Sequence, residues 1–117
     1  MKVLITGIAG FAGSHLVDLL LTFKNLKISG TVLEEKNIEN IASVKDKLVL
    51  LAGDLRDGYF VDETIKKIKP DLIFHLAAVS SAAVSLQKPK ETLESNIIAN
   101  FNLLEAIKNY SRESKVL

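Results

Sequence analysis

Three glycines at every third position, Gly7, Gly10 and Gly13, separate the short β-branched run Lys2 to Ile5 from a run carrying Leu16, Leu19, Leu20 and Phe23 at helical spacing. A strand, a glycine turn and a helix in that order form a β–α unit whose helix folds back over the strand. Backbone N–H groups at the start of the helix have no partners within it, and the helix dipole makes that end partly positive, so the turn suits a phosphate. Each glycine then has a separate part. Gly7 permits the sharp turn off the strand, Gly10 lets backbone approach a ligand, and Gly13 lets helix and strand pack closely. The alternative is a turn that serves packing alone, which leaves the spacing of the glycines unexplained. The pattern is Gly-x-x-Gly-x-x-Gly, not the commoner Gly-x-Gly-x-x-Gly, and Gly13-Ser14-His15 lacks the Gly-Lys-Ser/Thr of a mononucleotide loop.

The rest of the chain repeats the alternation. A second strand is expected over Leu26 to Leu33, interrupted by Gly30, then a polar turn at Glu34 to Asn37 and a short or irregular helix over Ile38 to Val44. Leu48 to Leu51 is a third strand, apolar on both faces, as in a parallel sheet covered by helices on each side. Gly53 to Gly58 is a loop, Phe60 to Ile68 a helix with Phe60, Thr64, Ile65 and Ile68 on one side, and Pro70 ends it. Asp71 to Leu76 is the fourth strand, followed by the small-residue stretch Ala77 to Ser85. From Pro89 a helix runs to about Tyr110, with Leu93, Ile97, Phe101, Leu104 and Ile107 as its expected buried stripe. Lys115 to Leu117 reads as a fifth strand cut off as it begins. The fold class expected is α/β, a doubly wound parallel sheet of strand order 3-2-1-4-5, with residues 1–117 as one domain. In that order strands one and four are neighbours, and the ligand crevice lies beyond their carboxyl ends. The glycine loop and the stretch after Leu76 both open into it.

Composition narrows the function classes. The 117 residues carry a net charge of +1, with 48% hydrophobic and 25% charged residues, which fits a globular domain and shows no nucleic-acid footprint. Without cysteine there is no disulfide, thiolate nucleophile or cysteine metal site, and no metal site is expected. No apolar run approaches the ~20 residues that span a bilayer, and the first strand starts without a charged leader. The expectation is a cytoplasmic protein without membrane or nucleic-acid partners.

Four motifs in register extend over essentially the whole chain: Thr6-Gly7-x-x-Gly10-Phe11-x-Gly13, Gly53-Asp54-Leu55-Arg56-Asp57, His75-Leu76-Ala77-Ala78-x-Ser80 and Asn96-x-x-x-Asn100-x-x-Leu103-Leu104-Glu105-Ala106. Together they resemble the extended short-chain dehydrogenases/reductases, the NAD(P)-dependent nucleotide-sugar epimerases, dehydratases and reductases with a Rossmann fold. Ile68 to Ala78 is most similar to the GDP-mannose 4,6-dehydratase and GDP-6-deoxymannose reductase branch.

The resemblance implies that Gly7, Gly10 and Gly13 line the pyrophosphate, with main-chain amides near Phe11 and Ala12 as donors. It implies that Asp54 bonds the adenine amino group with Leu55 beside the ring, and that Ala77, Ala78 and Val79 pass the ribose and nicotinamide. The alternatives are that Asp54 caps the next helix and that the alanines only pack under the last one. Asn96 matches the family asparagine that supports the active site from behind; its alternative is a partly exposed polar position. His75 reads as a hydrogen-bonded core residue. Ser80 and Ser81 are substrate-contact candidates or ordinary loop hydroxyls. The ribose-binding acid of NAD users falls near Val32, and Glu34 reaches the ribose only if the strand runs longer than its pattern suggests. NAD is favoured over NADP on that carboxylate and the lack of a nearby Arg.

The family's Tyr-x-x-x-Lys pair is absent, since Tyr59 and Tyr110 are followed four residues on by Glu63 and Ser114. The expectation is therefore the N-terminal cofactor-binding portion of a larger enzyme, inactive by itself, with a nucleotide-sugar substrate in the full-length protein. The alternatives are a free-standing NAD(P)-binding regulatory module, or a remnant that oligomerises, as a homodimer for example, through its open fifth-strand edge.

Overall fold

A computed structural model of the chain describes residues 1–79 and 81–117. Its elements run β1 (Lys2–Thr6), α1 (Phe11–Leu20), β2 (Lys27–Val32), two 3-10 turns (Glu39–Ile41 and Lys45–Lys47), β3 (Val49–Ala52), α2 (Gly58–Ile68), β4 (Leu72–His75), α3 (Ala82–Gln87), α4 (Pro89–Tyr110) and β5 (Lys115–Val116). All strand pairs are parallel and the sheet order is β3-β2-β1-β4-β5, the doubly wound arrangement expected.

β1 is the centre of the fold. Alternation along a strand sends Val3 and Ile5 into one core with Val17, Leu20 and Ile28, and Leu4 into the other with Ile65, Ile73 and Leu103. All three β1 side chains are fully buried, which accounts for the unbroken apolar run. Gly30 does not interrupt β2. It lies within the strand because Ile8 packs over it, and a Cβ there would come within 2.6 Å of Ile8 Cγ2.

Several packing expectations are corrected. β3 is an edge strand with Val49 half-exposed, so its apolar run does not mark a strand covered on both faces. The short helix expected over Ile38 to Val44 is a 3-10 turn, with a second turn after it. The Ala/Ser stretch contains α3, whose first residue follows the N-cap Ser81. α1 stops at Leu20, leaving Phe23 beyond it, and Leu19 and Phe23 are exposed while Val17 is buried.

The largest correction concerns α4. Leu93, Ile97, Phe101 and Leu104 are 59%, 59%, 61% and 50% exposed, and the buried residues are Ala99, Leu103, Ala106 and Ile107. Apolar residues surround much of this helix, so periodicity alone admits two faces. The face carrying Ala99 and Ala106 wins because small side chains let α4 approach the sheet and α2.

α2 is capped at both ends. Asp57 Oδ1 accepts the Tyr59 N–H at 3.0 Å, and Lys69 ends the helix in a left-handed conformation with φ 47° before Pro70. A non-glycine residue pays a steric penalty there. Replacing Lys69→Gly should raise stability by about 0.5–1 kcal/mol in chemical denaturation.

Candidate functional site

The loop between β1 and α1 is built around Gly7, whose φ of 69° is the left-handed turn that glycine supplies. Gly7 O accepts the Gly10 N–H at 3.0 Å, and Gly10 O accepts the Ser14 N–H at 2.9 Å as α1 begins. A side chain on Gly7 would come within 3.0 Å of the Ala77 backbone. One on Gly13 would overlap Gly7 O and come within 2.8 Å of Ile8 Cα. Gly10 differs: its φ is −70°, and a Cβ there meets only Gly7 O, at 3.2 Å. Packing therefore requires glycine at 7 and 13, whereas position 10 lines a cavity and has one close contact. No acidic residue lies in the first turn of α1 to compete with an anion.

After β3, Asp54 is held by Arg56. Its Oδ1 accepts the Arg56 backbone N–H at 2.8 Å, and its Oδ2 accepts from Arg56 Nη2 at 2.6 Å, with Nε shared between both oxygens. Hydrogen bonding from the Arg56 side chain holds the Asp54 carboxyl below its usual range, against a smaller opposing effect of burial. Asp57, not Asp54, caps the following helix.

Opposite, the end of β4 is locked to β1. Buried Thr6 places Oγ1 2.7 Å from His75 Nδ1 and accepts the Ala77 N–H at 3.2 Å. Burial lowers the His75 pKa, which favours a neutral imidazole. From α4, Asn96 Oδ1 accepts the Val79 N–H at 2.8 Å while its Nδ2 donates to Val79 O at 3.2 Å. Two turns on, Asn102 Nδ2 donates to Leu55 O and Arg56 O, each at 3.0 Å. One helix thus pins both loops that face the glycine turn.

These loops enclose a crevice of about 270 Å³ beyond the carboxyl ends of β1 and β4. A sequence profile described as GDP-mannose 4,6 dehydratase matches residues 4–117. The chain belongs to the GDP-mannose 4,6-dehydratase family. A dTDP-D-glucose 4,6-dehydratase of Dictyostelium discoideum is 38% identical over 93% of this chain and 26% of its own length. The crystal structure of Thermus thermophilus UDP-glucose 4-epimerase in complex with NAD superposes with a TM-score of 0.80 and 32% identity, covering 94% of this chain and 34% of that one. The dTDP-glucose 4,6-dehydratase of Bacillus anthracis, crystallised in complex with NAD, has a TM-score of 0.80 and 26% identity over 99% of this chain and 36% of its own. The chain spans about a quarter to a third of the length of such relatives.

In this member of the GDP-mannose 4,6-dehydratase family the crevice gathers Gly7, Asp54, Leu55, Ala77, Ala78 and Val79, and Gly10 lines an adjoining cavity. Phe11 and Ala12 form the first turn of α1, with the Phe11 ring exposed against His15. Asn96 does not line the crevice; its amide bonds the Val79 backbone, which does. Glu34 is not brought there: β2 ends at Val32, Leu33 lines the crevice instead, and the Glu34 carboxylate pairs with Lys36 at 2.9 Å. Ser81 Oγ accepts the Val84 N–H at 3.4 Å as the cap of α3, and Ser80 lies outside the described residues. Among the described residues no cluster of metal-ligating side chains occurs, and no helix is long and apolar enough to cross a membrane.

Nothing in the sequence alone marks Leu33, Arg56 or Asn102 as crevice or loop-bracing residues. Arg56 belongs to the Gly53–Asp57 motif, but its bond to Asp54 depends on the turn. The signal for Asn102 is its place beside the Ala99–Leu103 face of α4, which only becomes visible once that face is known.

Asn96→Ala leaves the Val79 N–H and carbonyl without their partner, and should cost about 1–3 kcal/mol in denaturant unfolding with faster amide exchange at Val79. Arg56→Ala should return the Asp54 carboxyl toward the ordinary value of about 4, measured by NMR titration. The folded-state pKa is depressed, so the pair stabilises the fold above the unfolded-state pKa, and that contribution is lost as pH falls through the folded value.

Proposed function

We propose that the chain is the NAD(P)-binding portion of a nucleotide-sugar epimerase, 4,6-dehydratase or reductase. The observation that carries this reading is the meeting of the glycine loop, the Asp54 loop and the Ala77–Val79 segment around one crevice at the switch point of the sheet.

The lining suits a dinucleotide. Gly10 lines a cavity just before the start of α1 and puts no side chain into it, and the amides of Phe11 and Ala12 would donate to pyrophosphate there. Ala77 and Ala78 leave room beside the backbone for a ribose and nicotinamide. Asp54 would accept a hydrogen bond from the adenine amino group, although both its oxygens already take bonds from Arg56, so adenine binding shares or displaces one of them. When bound, the nicotinamide supplies the hydride acceptor or donor. The chain's own part is to orient it: Asn96 holds Val79, and Thr6 holds Ala77.

Acid/base chemistry on a sugar is not assigned to these residues. Tyr110 lies between α4 and α2, with its hydroxyl 3.4 Å from Asp62 and Lys66 over its ring at 4.6 Å. Tyr59 is exposed in the first turn of α2. Neither lines the crevice, and the 117 residues alone are expected to bind cofactor without turnover.

Titration with NAD(H) and NADP(H), followed by nicotinamide fluorescence or calorimetry, tests the reading. Gly10→Val should keep the fold, because the backbone there is extended and the one close contact of a Cβ, with Gly7 O at 3.2 Å, needs a shift of only a few tenths of an ångström, yet weaken binding at least about a hundred-fold, or ~3 kcal/mol. Absence of binding of either cofactor to the unmodified chain overturns the proposal.

A further inference from the structure

The carboxylate that borders the crevice after β3 is fully engaged by a neighbour two residues on. Asp54 Oδ1 accepts the Arg56 main-chain N–H at 2.8 Å and shares Nε, while Oδ2 takes the other share of Nε and accepts from Nη2 at 2.6 Å. A carboxylate offers about four acceptor sites, and these contacts occupy them. Asp54 and Arg56 both line the crevice, so a base that reaches the carboxylate also meets the guanidinium.

The main chain and the side chain of Arg56 differ in how firmly they are held. The main chain is fixed twice, through its N–H by Asp54 and through its carbonyl by Asn102 Nδ2 at 3.0 Å. The guanidinium bonds Asp54 alone among the described residues, and the two side chains are 46% and 35% exposed. An ion pair so open to water contributes little and exchanges readily. Other carboxylates stand within its field. Bonding to Asp54 is the main cause that raises the Arg56 pKa, and the charges of Glu94 and Glu91 on α4 add to it.

We propose that Arg56 and Asp54 read the base of a bound nucleotide as a pair, the guanidinium being exchanged for an amino group and retained for a carbonyl. An adenine amino group is a donor and needs a carboxylate oxygen, so it takes the place of Nη2 and the side chain swings toward Glu91 and Glu94. A carbonyl at the same ring position is an acceptor. Arg56 Nη1, which bonds nothing among the described residues, supplies its N–H without breaking the pair. Arg56 thereby narrows the preference for adenine that Asp54 alone would impose. This inference rests on the cofactor-binding reading above and adds a second residue to the base-facing end of the crevice.

The test compares NADH with reduced nicotinamide hypoxanthine dinucleotide, which has the same phosphates and a carbonyl in place of the adenine amino group. Dissociation constants for both are measured by nicotinamide fluorescence on the unmodified chain and on Arg56→Ala. Loss of the competing guanidinium should tighten NADH by about two- to five-fold. The hypoxanthine analogue loses its donor and faces a bare carboxylate, so the ratio of the two constants should move toward NADH by about ten-fold or more. Attraction between Arg56 and the phosphates affects both ligands alike and cancels in that ratio. The bonds from the residue-56 N–H to Asp54 and from Asn102 to the residue-56 carbonyl involve no atom that the substitution removes, so the thermal midpoint should stay close to its original value. A smaller shift of the ratio, or NADH affinity that does not rise, overturns the inference while leaving the cofactor-binding reading intact. Binding of neither dinucleotide to the unmodified chain removes that reading and the inference with it.

Discussion

The close approach of Gly7 to Ala77 is the constraint on which the rest of the site depends. The chain leaves β1 through a left-handed residue, and the space a Cβ would fill there is taken by the backbone that leaves β4. Thr6 reinforces the join by accepting the Ala77 N–H from within the core. Because β1 and β4 are neighbours at the point where the winding reverses, this contact sets how far the two loops stand apart and therefore the width of the crevice.

α4 supplies the second constraint. It crosses one face of the sheet with its small residues inward, and this places two amide side chains against two different loops. Asn96 treats Val79 as a neighbouring strand would, satisfying both its N–H and its carbonyl. Asn102 satisfies carbonyls of Leu55 and Arg56, which have no ladder to join. The crevice walls are irregular backbone held in place by helix side chains, so their geometry depends on the rotation of α4 about its own axis.

That rotation was not legible in the sequence. Leu93, Ile97, Phe101 and Leu104 form a proper helical stripe, and weighting by size makes them the apparent core face. The packed face carries alanines, whose value lies in close approach and not in apolar area. The same limit applies at Glu34. Counting from the glycines puts the family's acid near Val32, and Glu34 would reach the crevice only on a longer strand; β2 ends at Val32, so Leu33 lines the crevice and Glu34 does not. Asp54 and Ala77–Val79 were legible because their motifs sit at strand ends, where the sheet itself delivers them to the crevice.

The order of strands and helices, the glycine turn, the limits of α4 and the family all follow from local pattern, because β-branched runs, glycine spacing and capping act over a few residues. What only the tertiary structure decided is which side of α4 is buried, that Asp54 is tied to Arg56, that Asn102 braces the loop after β3, and that Glu34 turns to Lys36 while Leu33 lines the crevice. Each of these depends on the angle or exact length of an element as it packs against another. A shift of one residue changes which side chain faces the crevice, and periodicity along a single chain does not contain that information.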